Sequence, residues 1–311
     1  MCIRDRYNFN LHSFPGYLSP YFEGSESLLL KLTDDYKMGK IQPFELPISS
    51  IDKNQSSTKL DITFADDQFN QLKINRQVSH IGYNKRDEQF DLLIIDNVFQ
   101  EDYKYFDRSY YINTIKLKKK EKNKVILKLK AIAEKNLEAQ KEAFKKSAMN
   151  DFDLPIESYD SYTILENGRQ SFEDPMIFKD QFQLEDLTKR AGKNYLFEVG
   201  KLIGGQVAIA EDERQRDQDI FMPYPRSFLN EISIEIPDGY SVEGLDKLNI
   251  DVQNTTGGFV TTAKMNGQQL ILTTKKFYNH QFEKAAQWSD MVGFLEAAYD
   301  YTQTKVLLKK Q

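Results

Sequence analysis

The sequence predicts a mainly β protein: an antiparallel, sandwich-like body carrying an inserted amphipathic helix and a second helix near the C-terminus. Three observations point there. Short runs of alternating apolar and polar residues recur along the chain, the period of half-buried strands. Turn residues separate most of these runs, above all Asn266-Gly267, a pair that tolerates the positive φ of a tight hairpin. Only two long stretches, 118–150 and 284–301, space their apolar residues as a helix does.

In chain order, residues 1–6 (MCIRDR) fit no element that follows and read as a foreign joining sequence, with the chain as the C-terminal part of a longer protein. Residues 7–57 read as linker and first strand, punctuated by Pro15, Gly16, Pro20, Gly24, Gly39, Pro43 and Pro47. A first β segment spans 58–117. Within it, 58–64 and 71–83 alternate around a turn at Asp66-Asp67. Residues 85–98 read as one short helix and 110–117 as strand-like. In the long helix, Ile126, Leu129, Ala133, Leu137, Phe144 and Ala148 form the predicted apolar stripe. Its approach, 116–130, carries eight Lys and one Glu and reads as a solvated face.

Residues 151–311 form the C-terminal β module, with strands expected at 159–165, 176–184, 194–202, 207–210, 228–236, 248–253, 258–265 and 268–275. In the last helix, Trp288, Met291, Val292, Leu295 and Tyr299 share a face, with Trp288 as a core anchor, and 305–309 closes as a strand. The strands on both sides of the long helix need partners, so 58–117 and 155–311 are expected to build one composite body, with two separate modules split near Asp151 as the alternative.

Composition narrows the function. With 311 residues the chain can bury a core without staples, and its 47 acidic and 42 basic residues leave a net charge of −5, with no general pull toward nucleic acid or anionic membrane. One Cys excludes a disulfide within the chain, and three scattered His (His12, His80, His280) argue against a histidine metal site. Apolar runs are only a few residues long, such as 28–30 and 92–95, so no transmembrane segment is expected. Gly192-Lys193 is followed by Asn194 and lacks the first Gly of a phosphate loop, and neither HExxH nor GxSxG occurs. In 211–219 (EDERQRDQD), Asp212, Asp217 and Asp219 could offer calcium oxygens. Arg214 and Arg216 among them favour an exposed ion-paired connection. His80 reads as a structural residue within a strand. The expectation is therefore no enzyme activity, no cofactor and no metal.

One cluster suits binding. Tyr103, Tyr105, Phe106, Arg108, Tyr110 and Tyr111 could stack on a sugar or peptide. Exposure of that group favours a binding module, and burial favours a scaffold.

The order of several segments carries a resemblance. Gly192-Lys193 and 195–206 (YLFEVGKLIGGQ) precede an Arg-rich acidic loop and Tyr224-Pro225-Arg226-Ser227. Then come 232–240 (ISIEIPDGY), Gly244-Leu245, Gly258-Phe259, the 288–294 helix and the 305–309 strand. Together with 60–83, including Arg76 and Gly82, this resembles the β-rich region downstream of the papain-like core in bacterial transglutaminase-like proteins. The resemblance implies an exported protein of the periplasm or cell envelope, with the upstream core of the same polypeptide as partner. That core needs a Cys thiolate, a His and an orienting Asp or Asn. Here the only Cys is Cys2, inside 1–6, so no catalytic residue is carried over. The leading expectation is a non-catalytic accessory region that packs on or restricts that core. The alternative is an autonomous binding module for an envelope glycan or protein.

Overall fold

The computed structural model describes residues 18–32, 37–109 and 116–311. The expectation for 1–6 and most of the strand expected over 110–117 fall outside those residues. The fold is mainly β, in antiparallel and mixed sheets, with a helix near the C-terminus, as the alternation predicts.

The chain opens with a free-standing antiparallel hairpin, β1 (Glu26–Leu32) and β2 (Met38–Glu45), with Leu30 opposite Ile41. The expectation of one strand in this region missed the second, because Gly39 and Pro43 break the alternation of β2. Next come β3 (Gln55–Phe64) and β4 (Gln71–His80), then α1 (Lys85–Leu92), α2 (Ile95–Tyr105) and the 34-residue α3 (Lys119–Phe152). The single short helix expected at 85–98 is thus two, divided where Leu93 adopts an extended conformation.

Beyond α3 follow β5 (Ser158–Asn167), β6 (Met176–Glu185), β7 (Thr188–Ala191), β8 (Asn194–Phe197), a 3-10 turn (Val199–Ile203) and β9 (Ile220–Phe221). Then come β10 (Arg226–Glu235), β11 (Tyr240–Glu243), β12 (Ile250–Gln253), β13 (Gly257–Asn266), β14 (Gln269–Tyr278), β15 (Phe282–Glu283), α4 (Trp288–Thr302) and β16 (Val306–Lys310).

Eight strands form one sheet in the order β12-β13-β14-β10-β3-β4-β6-β5. Strands from before and after α3 therefore lie side by side. All neighbours are antiparallel except β10 and β3, which run parallel with Ile232 beside Leu60. No hairpin joins these two distant strands, so no tight turn imposes the antiparallel direction. A four-stranded sheet, β11-β16-β8-β7, packs across one end of the large sheet. Phe64 meets Phe197 at 5.7 Å, and Phe69 meets Tyr195 at 4.9 Å and Tyr240 at 5.1 Å between ring centroids.

Alternation decides the large sheet's two faces. Lys59, Asp61, Lys73, Lys179, Glu231 and Lys275 point to solvent, with Lys59 and Glu231 paired at 2.7 Å across β3 and β10. The opposite parity buries Leu60, Ile62, Leu72, Ile74, Ile232, Ile234, Leu270 and Leu272. Helix α4 adds Met291, Phe294, Leu295, Ala298 and Tyr301 to that core.

Several expectations change in detail. The β13–β14 hairpin sits where expected, but Asn266 pairs with Gln269, so Gly267-Gln268 is the loop. Only Gly267 has positive φ, +62°, the pattern of a hairpin with glycine in the first loop position. Residues 207–210 are no strand, since none of the described residues pairs with them, and 194–202 ends as a strand at Phe197 before the 3-10 turn. Of the stripe expected on α3, Phe144 and Ala148 are buried, while Ile126, Ala133 and Leu137 are exposed. The buried stripe is Gln140, Phe144, Ala148 and Phe152, all at i+4 spacing. Only the C-terminal half of this helix, about 51 Å long in all, reaches the body. On α4, Tyr299 is exposed. Trp288 is half-buried but does pack against the core, as expected, and its Nε1 donates to the Glu213 carbonyl at 2.8 Å.

Candidate functional site: a polar cleft on the large sheet

The buried face of the large sheet changes character along its strands. On β3 the inward series runs Ser56, Thr58, Leu60, Ile62, and on β10 it runs Arg226, Phe228, Asn230, Ile232, Ile234. On β14 it runs Leu270, Leu272, Thr274, Lys276, Tyr278, and on β4 Leu72, Ile74, Arg76, Val78, His80. Register aligns the polar parts. Arg226 is opposite Tyr278, Phe228 lies between Lys276 and Ser56, Ser56 is opposite His80, and Asn230 lies between Thr274 and Thr58. These residues line a cleft of about 500 Å³.

The remaining walls come from α1 (Asp87, Glu88), the last turn of α3 (Asp151, Phe152), the segment 202–206, and Tyr224. Gly204 lets that segment pass against α3. Its φ is +82°, and a Cβ there would lie 2.0 Å from the Asp151 carbonyl oxygen.

One end of the cleft is cationic. The Arg226 guanidinium stands 4.9 Å from the Tyr278 ring centroid and 5.8 Å from that of Tyr224. Lys276 donates from Nζ to Gln206 Oε1 at 2.9 Å. Its ammonium is pushed down to about 8, by burial first and then by the Arg226 charge. Among the described residues, neither cation has a carboxylate partner.

The other end is acidic around one buried arginine. Arg76 grips Asp180 with two bonds, Nε at 2.9 Å and Nη2 at 2.6 Å, and Nη1 donates to Asp151 at 2.5 Å. Tyr159 adds its hydroxyl to Asp180 at 3.0 Å, and the guanidinium lies 5.5 Å from the rings of Phe178 and Phe182. A carboxylate at a helix C-terminus opposes the helix dipole, so Asp151 depends on Arg76. The Glu88 carboxyl is pushed up to about 7, by burial first and then by the Asp151 charge, with Arg76 opposing.

His80 lines the cleft and takes part in a local network. Its Nδ1 is 2.9 Å from Ser56 Oγ, which also accepts from the Asn84 amide at 3.0 Å. Burial first, and Arg76 second, push the imidazole down to about 4, which keeps it neutral at physiological pH. The residue expected to be structural makes that hydrogen bond and also presents a neutral ring to the cleft.

The aromatic group expected to form an interaction surface lies elsewhere. Tyr105 and Phe106, at the end of α2, are 69% and 67% exposed and meet edge to face at 5.1 Å. Arg108 is exposed and Tyr103 half-buried, while Tyr110 and Tyr111 fall outside the described residues. None of the four described residues lines the cleft. The 211–219 loop is ion-paired: Arg214 bonds Glu211 at 2.9 Å and also Glu296, and Asp219 accepts from Lys284 and the Ala285 N–H.

Sequence reading did not single out Arg226 and Lys276 as site residues, although Arg226 stood within the Tyr224–Ser227 motif. The available signal was parity. In both strands a cation occupies an inward position two to four residues from an apolar run.

No curated protein and no solved structure matches the chain. Residues 195–308, which carry Arg226 and Lys276, match a family described as a domain of unknown function with solved structure, DUF3858.

Proposed function

We propose that this chain is a non-catalytic accessory module that works by binding, with the cleft over β10 and β14 as its binding site. The observation that carries this reading is the pair of half-buried cations, Arg226 and Lys276, kept in a concave polar site without a carboxylate partner among the described residues. Holding such charges costs folding free energy unless something offsets it, and clefts with a few convergent polar groups are where ligands bind.

We further propose that the module belongs to an exported transglutaminase-like protein, where it packs on or restricts an upstream core. This reading rests on the order of strand and turn segments in the sequence, from 192–206 through Tyr224–Ser227 and 232–240 to the closing strand. A second reading, a module for an envelope glycan or protein, draws support from the exposed Tyr105 and Phe106.

The test is a small-molecule screen by ligand-observed NMR, repeated on Thr58→Leu, which crowds the cleft floor between Asn230 and Val78. Binders lost in Thr58→Leu support the cleft. Binders that persist unchanged there, or that compete only at Tyr105 and Phe106, overturn it.

A further inference from the structure

We infer that the cationic end of the cleft receives a carboxylate, borne by a small organic monoanion whose remainder is neutral or cationic. This rests on the reading of the cleft as a binding site and names the chemistry it selects. Arg226 and Lys276 sit on adjacent strands, two residue pairs apart in register, and point from the same face. Their charges are therefore diagonal neighbours, within reach of one anionic group.

Neither is used up by the protein. A guanidinium held against aromatic rings by cation–π attraction can still donate from its edge, and that edge matches the two oxygens of a carboxylate. No hydrogen bond or ion pair engages the Arg226 side chain among the described residues. Lys276 gives one bond to the neutral Gln206 amide, leaving two of its three donors. Burial that depresses its proton affinity makes a counter-ion there more favourable still.

The opposite wall limits how much negative charge can enter. Asp180 matches the charge of Arg76 through both of its oxygens, so Asp87 and Asp151, with Glu88 about half ionised near pH 7, leave that wall net acidic. A second anionic group on the ligand would face like charge in a site where screening is weak. The floor between the two ends is neutral: Ser56, Thr58, Asn230 and Thr274 offer hydroxyls and an amide. A peptide C-terminus and an acidic sugar both present the required carboxylate, and the probes separate them.

The experiment is a titration of the full chain, followed by amide NMR shifts and calorimetry. The probes are N-acetyl-alanine (a peptide-like carboxylate), glucuronate (an acidic sugar), N-acetyl-alaninamide (neutral) and citrate (a trianion). The inference expects at least one monoanion to shift amides of β10 and β14. The neutral amide should bind at least about tenfold more weakly than N-acetyl-alanine if the peptide form is preferred. In each of Arg226→Gln and Lys276→Gln, Kd for the bound monoanion rises by about tenfold or more, the loss of one charge-assisted bond. Citrate binds no better than a monoanion in the natural protein and gains in Glu88→Gln. Circular dichroism establishes that each variant is folded.

Equal binding of neutral and anionic probes at the cleft overturns the carboxylate while leaving the cleft as binding site. Indifference of the monoanion to both substitutions, tight binding by citrate alone, or no cleft shift with any probe overturns it as well.

Discussion

Two halves of one sheet face follow different rules. Where β3, β4, β10 and β14 run through Leu60, Ile62, Leu72, Ile74, Ile232, Ile234, Leu270 and Leu272, the inward parity is apolar and every side chain is buried. A few residues along the same strands, the same parity holds Ser56, Arg76, His80, Arg226, Asn230, Thr274 and Lys276 around a cleft. Backbone pairing is continuous through both halves. Strand geometry therefore does not separate them; side-chain chemistry does. One half supplies burial, and the other holds polar groups in place against their tendency to be hydrated.

The largest expected effect lies at the boundary. Arg76→Met strands Asp180, whose side chain is fully buried, and should cost about 3–5 kcal/mol in urea denaturation. A loss near zero there would mean that Asp180 takes up a proton or finds water, and that the acidic wall is soft. Within the apolar half, Leu272→Ala should cost about 2–5 kcal/mol by the same method, the usual range for a buried leucine.

Glu198 sharpens the contrast between partnered and unpartnered charge. It is a buried carboxylate at the edge of the second sheet, with Lys201 and Lys305 at 2.6 Å and Lys189 at 3.3 Å. Burial alone would raise its pKa, but hydrogen bonds from Lys201, Lys305 and Lys189 win and hold it at about 2. A depressed carboxylate stabilises the fold above its unfolded pKa of about 4.3, and that stability is lost as pH falls toward 2. Glu198→Gln should therefore cost about 2–3 kcal/mol at pH 7. The difference from the natural protein should shrink in acid, as read by thermal melts across that window.

Lys276 should behave in the opposite sense. Its folded pKa, about 8, lies below the ordinary lysine value, so the unfolded chain binds more protons between about pH 8 and 10.4. Stability contributed by this residue is thus lowest below pH 8 and rises as pH climbs through that window. Lys276→Met should stabilise the protein by about 1 kcal/mol at pH 7, with the gain fading toward pH 10. A melting series on the two proteins reads both the sign and the fading.

Much of the fold was legible because period and turn chemistry agree locally. The 2-residue period and the turn residues, Asn266-Gly267 above all, locate all eight members of the large sheet, with β5 expected at 159–165 and β12 at 248–253. What escaped is what tertiary context decides. Residues 207–210 alternate like a strand yet have no neighbour to pair with among the described residues. On α3, Ile126 and Leu137 have the right spacing, but the helix outruns the body that could cover them. The site was harder to see, since Arg76, Arg226 and Lys276 lie on three strands and converge only once register is set. Tyr105 and Phe106 were found from sequence because exposed aromatics can cluster within one short segment; the cleft needed four strands and two helices.

The most direct test of the division between the halves is the urea midpoint of the double variant Arg226→Met/Lys276→Met at pH 7 beside the natural chain. If the cations are kept for a ligand, removing both leaves the midpoint equal or higher. A fall as large as that of Leu272→Ala would show that the two cations hold the sheet together, and would contradict the account of the cleft as a binding site.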